Sequence, residues 1–213
     1  PGPVGGVEDA RAARRPRTTF DPPCRTDPQE MSEDAARPVV VDDDADLDWC
    51  HDAVRGVSRT FALTVDVLEE PMSSYVCLGY LVCRVADTVE DASHVPPAEQ
   101  AALLETYDAV LDPDDPTTAA DFRAAVDEWL PPAGERSEDW DAVAETERVI
   151  ATFEALPADV RAAVVPPARE LVSGMAEFVR RYADEGGLRV DDRAELDEYC
   201  YYAAGTVGNL ITN

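Results

Sequence analysis

The sequence predicts an all-α fold, a core-forming helical bundle, and three observations predict it. Apolar residues recur at helical spacing from about Asp46 to the end of the chain. Clusters of Pro, Gly and Asp cut that pattern into pieces of helical length. Val and Thr are present, but no sustained period-two stretch bounded by hairpin turns occurs.

The elements follow in order. Residues 1–44 are expected to be disordered, because Pro, Gly, Arg and Asp dominate and apolar periodicity is missing. Acids and Arg balance over residues 1–30, and the net charge falls wholly on the remainder, with the break at Met31. A translation start at Met31 is the favoured reading of that break, and an arginine-rich tail is its rival. Residues 45–213 are expected to form the helical domain. Segment 47–57 starts behind acids that suit the positive end of a helix dipole. Segment 59–69 is apolar and ends near Pro71. Segment 72–92 is long, mostly apolar, and stops before Pro96 and Pro97. Segments 97–111, 117–130, 138–155, 158–184 and 193–212 complete the series, and no internal repeat is present.

Charge bounds the function. The chain has 45 acids against 18 basic residues, all of them Arg, for a net charge of -27 and a pI near 4.1. Self-repulsion of that size opposes compaction unless salt screens it, and at 1 M salt the Debye length is roughly 3 Å. The acidity therefore reads as a surface adapted to a salty cytoplasm, as in a halophile. No basic patch exists, so nucleic acid is excluded as a partner. The five cysteines (24, 50, 77, 83 and 200) are odd in number and form no CxxC pair. They predict neither a disulfide framework nor a zinc site, but small buried hydrophobes in a reducing compartment. No run of 18 apolar residues and no secretory h-region occurs, so a cytoplasmic location is expected.

Three stretches carry chemistry. On a helix, Tyr80, Arg84, Asp87 and Asp91 share one face, with Glu90 at its edge, while Val76, Leu78, Leu81, Val82, Val85 and Val89 make the rest apolar. Burying unpaired carboxylates costs several kcal/mol. Mg²⁺ resolves that conflict, since it takes one or two carboxylates and completes its shell with water and phosphate, and Arg84 offers a fork for the same phosphate. A solvated helix end paired with Arg84 is the plainer reading of the same residues. Ser58 and Arg59, ahead of Thr60 and Phe61, form a helix start that binds an anion or merely caps the helix. Between Tyr199 and Gly208, Ala203, Ala204 and Gly205 are small. They allow either tight helix packing or room for a bulky apolar ligand, with Tyr199 and Tyr202 able to relay a proton.

Together and in this order, the three stretches resemble the squalene/phytoene synthase family, the head-to-head trans-isoprenyl-diphosphate synthases. Ser58 to Phe61 looks like its SR(T/S)F element, Arg84 to Asp91 like its first aspartate-rich motif, and Gly174-Met-Ala176 like the GMA segment of squalene synthases. Tyr199 to Gly208 is similar to the YCxxVAGxVG segment, with Ala203 where the family has Val. The resemblance spans residues 47–213 and implies an isoprenoid-synthase-type bundle around a central apolar cavity, acting as a monomer. It implies that two farnesyl diphosphates are condensed to presqualene diphosphate and then to squalene, with Mg²⁺ and NADPH as cofactors. It also implies peripheral membrane contact for product release through parts outside this chain. Carried over by position, Asp87, Glu90 and Asp91 take the Mg²⁺-diphosphate role, Asp87 and Asp91 acting in catalysis with it. Ser58, Arg59 and Arg84 contact phosphate or NADPH. Tyr199 assists proton removal, Tyr80 lines the same site, and Tyr202, Ala204, Val207 and Gly208 border the substrate.

The family's second aspartate-rich motif follows the YCxxVAGxVG segment, and the chain stops at Asn213 before it. The bundle is therefore expected to be incomplete at the C-terminus and the chain alone inactive. Asp87-Thr-Val-Glu-Asp91 and Gly174-Met-Ala176 lean towards squalene. Tyr199-Cys-Tyr-Tyr-Ala-Ala204 leans towards a phytoene synthase, which joins two geranylgeranyl diphosphates without NADPH. From another class, a truncated, non-catalytic helical binding protein stays open. A Ser-His-Asp hydrolase is excluded, since His51 and His94 have no nucleophile context.

Overall fold

A computed structural model of the chain describes residues 44–185 and 187–212. The expectation of disorder over 1–44 lies outside the described residues except at Asp44, which opens α1, and that of a start at Met31 lies wholly outside them. The elements are α1 (Asp44–Val57), α2 (Arg59–Asp66), α3 (Met72–Glu90), α4 (Pro97–Leu111), α5 (Ala119–Val126), α6 (Glu138–Ala144), α7 (Thr146–Glu154), α8 (Ala158–Arg181), α9 (Arg193–Cys200) and α10 (Thr206–Thr212). A 3₁₀ turn at Asp127–Trp129 extends α5, and a π-helical turn at Tyr201–Gly205 joins α9 to α10. No strand occurs among the described residues, as the all-α expectation requires.

Local chemistry sets the boundaries. Ser58 is extended at φ -153° and accepts from Phe61 N, so α2 begins at Arg59. Thr118 and Asp121 form a reciprocal capping box on α5. Pro97 opens α4, where its missing N–H has no partner to lose. Pro166 and Pro167 lie inside α8 without ending it. The surrounding burial of Val164, Ala168, Leu171, Val172 and Met175 outweighs the bonds they remove.

Two expected segments differ from the structure. Segment 138–155 is broken between α6 and α7 at Glu145, whose φ and ψ are -99° and 22°. The buried Thr146 hydroxyl donates to Val143 O at 2.6 Å, which holds the bend, and nothing in the helix-forming local sequence signals it. Segment 193–212 contains the π turn, treated below.

The core is built around α3, which packs against α1, α2, α4, α6, α7 and α8. Cys77, Leu78, Leu81, Val82, Val85, Ala86 and Val89 are buried along it. Each buried leucine stabilises by about 1.5–3 kcal/mol. Tyr107 of α4 donates its hydroxyl to Val82 O at 2.9 Å inside this core. Among the described cysteines, Cys50, Cys77 and Cys83 are buried as expected, and burial pushes the Cys50 and Cys83 thiols up to about 12. Cys200 corrects that expectation, because it lies exposed at the end of α9.

Candidate active site

The stripe of α3 that the sequence singles out is the one part of its second half that is not fully covered. Tyr80, Arg84, Asp87 and Glu90 are half-buried and Asp91 is exposed, while residues 81–83, 85–86 and 88–89 are buried. The acids therefore border a wall of core side chains on one side and solvent on the other.

They also lie at the negative end of a helix. Gln100 of α4 donates its amide to the carbonyls of Val89, Glu90 and Ala92 at 3.1, 2.8 and 3.2 Å, which fixes the end of α3 and satisfies its free acceptors. Carboxylates at a helix C-terminus oppose the dipole. Burial raises the Asp87 pKa above the usual carboxylate range despite the adjacent Arg84. Burial, then the charges of Asp91 and Asp87, pushes Glu90 up to about 7.

Arg84 offsets part of this. It pairs with Asp87 through Nη1, and it donates from Nε to Asp139 of α6 at 2.9 Å. Burial works to lower the guanidinium's pKa, but the Asp139 hydrogen bond and the Asp87 charge outweigh it and raise the pKa above its ordinary value. Thr88 returns a hydrogen bond to Arg84 O at 2.8 Å.

The C-terminal segment reaches the same acids. Tyr199 of α9 lies close enough to feel them: burial, then the charges of Glu90, Asp91 and Asp87, pushes its phenol up to about 12. Its ring meets Phe178 of α8 edge-on at 5.3 Å. Glycine makes this approach possible. A Cβ on Gly174 would lie 2.2 Å from Tyr202 Cγ, so only glycine lets the 201–205 turn lie on α8. The π turn follows from the same contact: the Thr206 N–H bonds Tyr201 O, and the Thr206 hydroxyl donates to Tyr202 O at 2.7 Å. Such single π turns recur at functional sites.

The remaining expected residues are less concentrated. Phe61 stacks on Tyr80 with ring centroids 4.1 Å apart, which ties the start of α2 to the acid-bearing stripe. Ser58 spends its hydroxyl as the α2 cap, in accord with the plainer reading of that residue. Arg59 is exposed and pairs with no carboxylate among the described residues. Tyr202 and Val207 are half-buried, whereas Ala204 and Gly208 are exposed, and nothing lies near a Cβ on Gly208.

Among the described residues no three acidic, imidazole or thiol side chains converge tightly enough to enclose a metal by themselves. The half-buried oxygen donors with raised pKa values fit a cation that brings further ligands of its own. A polar cleft of about 220 Å³ runs past Arg84, Asp91 and Asp139, and a pocket of about 90 Å³ touches Glu90. A larger cavity of about 510 Å³ lies elsewhere, between Leu111, Phe153 and Val165. None of these three spaces is an apolar chamber beside the acids.

A sequence model of the squalene/phytoene synthase family matches residues 54–213. The chain belongs to the squalene/phytoene synthase family. It is 27% identical to the squalene synthase of Eremothecium gossypii over 79% of this chain and 35% of that protein. It is 29% identical to squalene synthase 1 of Arabidopsis thaliana over 75% of this chain and 34% of that one. A solved complex of TcSQS with a ligand superposes with a TM-score of 0.61 at 27% identity, covering 78% of this chain and 43% of that chain. The chain spans about a third of the length of the curated relatives it matches. Its all-α architecture is that of squalene synthase structures. No described helix is long and apolar enough to cross a membrane.

Sequence reasoning missed two residues that hold the acid-bearing end of α3. Gln100 and Asp139 both come from helices other than α3, and each looks locally like an ordinary polar residue near a helix start. Only the packing of α4 and α6 against α3 shows what they hold.

Proposed function

We propose that the protein carrying this chain is a squalene synthase, which condenses two farnesyl diphosphates to presqualene diphosphate and reduces that to squalene with NADPH. The observation that carries this reading is the approach of Tyr199 to Glu90, Asp91 and Asp87, because it brings two stretches far apart in sequence to one cluster of acids. Asp87 and Asp91, with Glu90 beside them, would hold Mg²⁺, which supplies charge neutralisation for a departing diphosphate. Arg84 donates to the same diphosphate oxygens, and Arg59, without a carboxylate partner, is a further anion contact for substrate or NADPH phosphate. Tyr199, held beside these acids, assists proton removal through its Oη. Phe61, Tyr80 and Phe178 offer aromatic faces that exclude water from a reactive cation.

The test is product analysis of the protein as encoded in full, supplied with Mg²⁺ and either farnesyl or geranylgeranyl diphosphate, with and without NADPH. The expected result is presqualene diphosphate without NADPH and squalene with it. A C40 product from geranylgeranyl diphosphate alone would instead establish the phytoene synthase reading, which the Tyr199-Cys-Tyr-Tyr-Ala-Ala204 stretch favours. No turnover of either diphosphate would leave a binding protein.

A further inference from the structure

Arg84 is held by a carboxylate from another helix. Asp139, in the first turn of α6, accepts on Oδ1 from Arg84 Nε at 2.9 Å and from Nη2 at 2.8 Å. The opposite corner of the guanidinium, Nη1, meets Asp87. These side chains are 26%, 31% and 35% exposed for Arg84, Asp139 and Asp87, so none is a freely solvated surface charge. The turn that carries Asp139 is itself fixed, since Ser137 caps α6 by accepting from Trp140 N at 3.3 Å. The polar cleft that runs past Arg84, Asp91, Ser137 and Asp139 opens beside the pair.

We propose that Asp139 is a positioning residue for Arg84. It grips the Nε–Nη2 edge so that the Nη1 end stays aimed at a diphosphate when Asp87 turns to a cation. The proposal rests on the diphosphate reading of the α3 acids given above. Without Asp139, the guanidinium keeps one anionic partner, Asp87, three residues along its own helix. It then folds onto that acid and competes for the oxygens a cation needs. Simple charge repulsion predicts the opposite sign. Asp139 is a negative charge close to an anionic ligand, so deleting its charge without disturbing Arg84 would tighten diphosphate binding. A weakening therefore reports orientation.

The experiment uses Asp139→Asn in the protein as encoded in full. Binding of inorganic pyrophosphate with Mg²⁺ is measured by calorimetry, beside steady-state kinetics on farnesyl diphosphate and a melting curve. Binding is expected to weaken about tenfold, the scale of one charge-assisted contact. KM should rise by a similar factor with a smaller change in kcat, and Asp139→Glu should recover part of the loss. In an Arg84→Gln background, Asp139→Asn should add no further loss, because the two side chains act as one unit. Unchanged or tighter pyrophosphate binding in Asp139→Asn overturns the proposal. So does full additivity with Arg84→Gln, or a change confined to the melting temperature. If the parent protein binds no pyrophosphate with Mg²⁺, the diphosphate reading falls first and takes this inference with it.

Discussion

Asp121 and Asp87 are aspartates on helices of one strongly acidic chain, and their surroundings drive them in opposite directions. Asp121 is exposed in the first turn of α5 and accepts from Thr118 Oγ1 at 2.6 Å and from Thr118 N at 2.8 Å. Those hydrogen bonds hold its carboxyl below the usual range, and Asp115 is held down in the same way by Thr117. Asp87 lies near the other end of a helix, half-buried, and burial drives it up. The acids around α5 are completed by the chain next to them at a helix N-terminus, where negative charge is welcome. The acids of α3 are placed at a C-terminus, beside one another, with a single guanidinium to share. A net charge of -27 conceals this difference, because composition counts charges without saying which are satisfied.

The largest effect should come from removing two of the α3 acids. Asp87→Asn combined with Asp91→Asn is expected to lower kcat/KM for the prenyl diphosphate by at least about 100-fold, the scale of lost electrostatic stabilisation of a leaving group. Asp121→Asn should leave kcat/KM unchanged. Equal kinetic losses for the two regions would break the comparison. Next in size is Gly174→Ala, which drives a Cβ into the Tyr202 ring. Overpacking of this kind costs about 1–3 kcal/mol, read by urea unfolding. Because the displaced turn continues from Tyr199, turnover should fall with it. Gly79→Ala is a milder control, since its Cβ would come 3.1 Å from a terminal methyl of Leu210 that can give way.

Much of this was legible in the sequence, and the failures share a cause. Helical periodicity located α1 to α5, and the i, i+4, i+7, i+11 spacing put Tyr80, Arg84, Asp87 and Asp91 on one face of α3, which the structure shows to be its less covered stripe and not an inward one. Local pattern carries that information because 3.6 residues per turn fixes which side chains share a face. The break at Glu145, the π turn at Tyr201–Gly205, and the grips of Gln100 and Asp139 on α3 were not legible. Each depends on which helix lies opposite, a matter of packing between residues far apart in the chain. Ala204 and Gly208 are exposed, and which small residue meets a ring depends on the same packing. Small residues permit close approach, but Gly174 and Gly205 are where rings actually approach.

Glu90 sharpens the comparison through pH. Its folded pKa, about 7, lies above the ordinary value of 4.5. Between those values the folded chain binds more protons than the unfolded chain, so stability without metal should fall as pH rises through that window and level off above it. With allowance for solvent screening of a half-buried group, the loss is on the order of 1–2 kcal/mol. Asp87, whose pKa is also raised, adds to the same slope. Glu90→Gln should flatten most of it in urea titrations from pH 4.5 to 7.5 in EDTA. A saturating divalent cation should flatten it too, because the bound charge favours the ionised carboxylates. An unchanged slope in Glu90→Gln would mean that water already satisfies this acid.

The smallest effect tests the satisfied side of the comparison. Thr118→Ala removes the side-chain half of the α5 capping box, the hydroxyl that accepts from Asp121 N at 3.2 Å and that also donates to Asp121 Oδ2. Losing such a cap costs about 1 kcal/mol of stability. Asp121 keeps the Thr118 backbone N–H, so its carboxyl should move back towards the ordinary range without reaching it. The loss should appear in urea unfolding above pH 5 and fade below pH 3, since a protonated Asp121 no longer benefits from the box. That pH trend is opposite in sign to the one expected from Glu90. Two carboxylates in one acidic chain would then respond to the same titration with stability changes of opposite direction, and kcat/KM should follow neither Thr118 nor Asp121. A kinetic effect of Thr118→Ala comparable to that of the α3 acids would show that α5 communicates with the site, and the division between the two regions would fail.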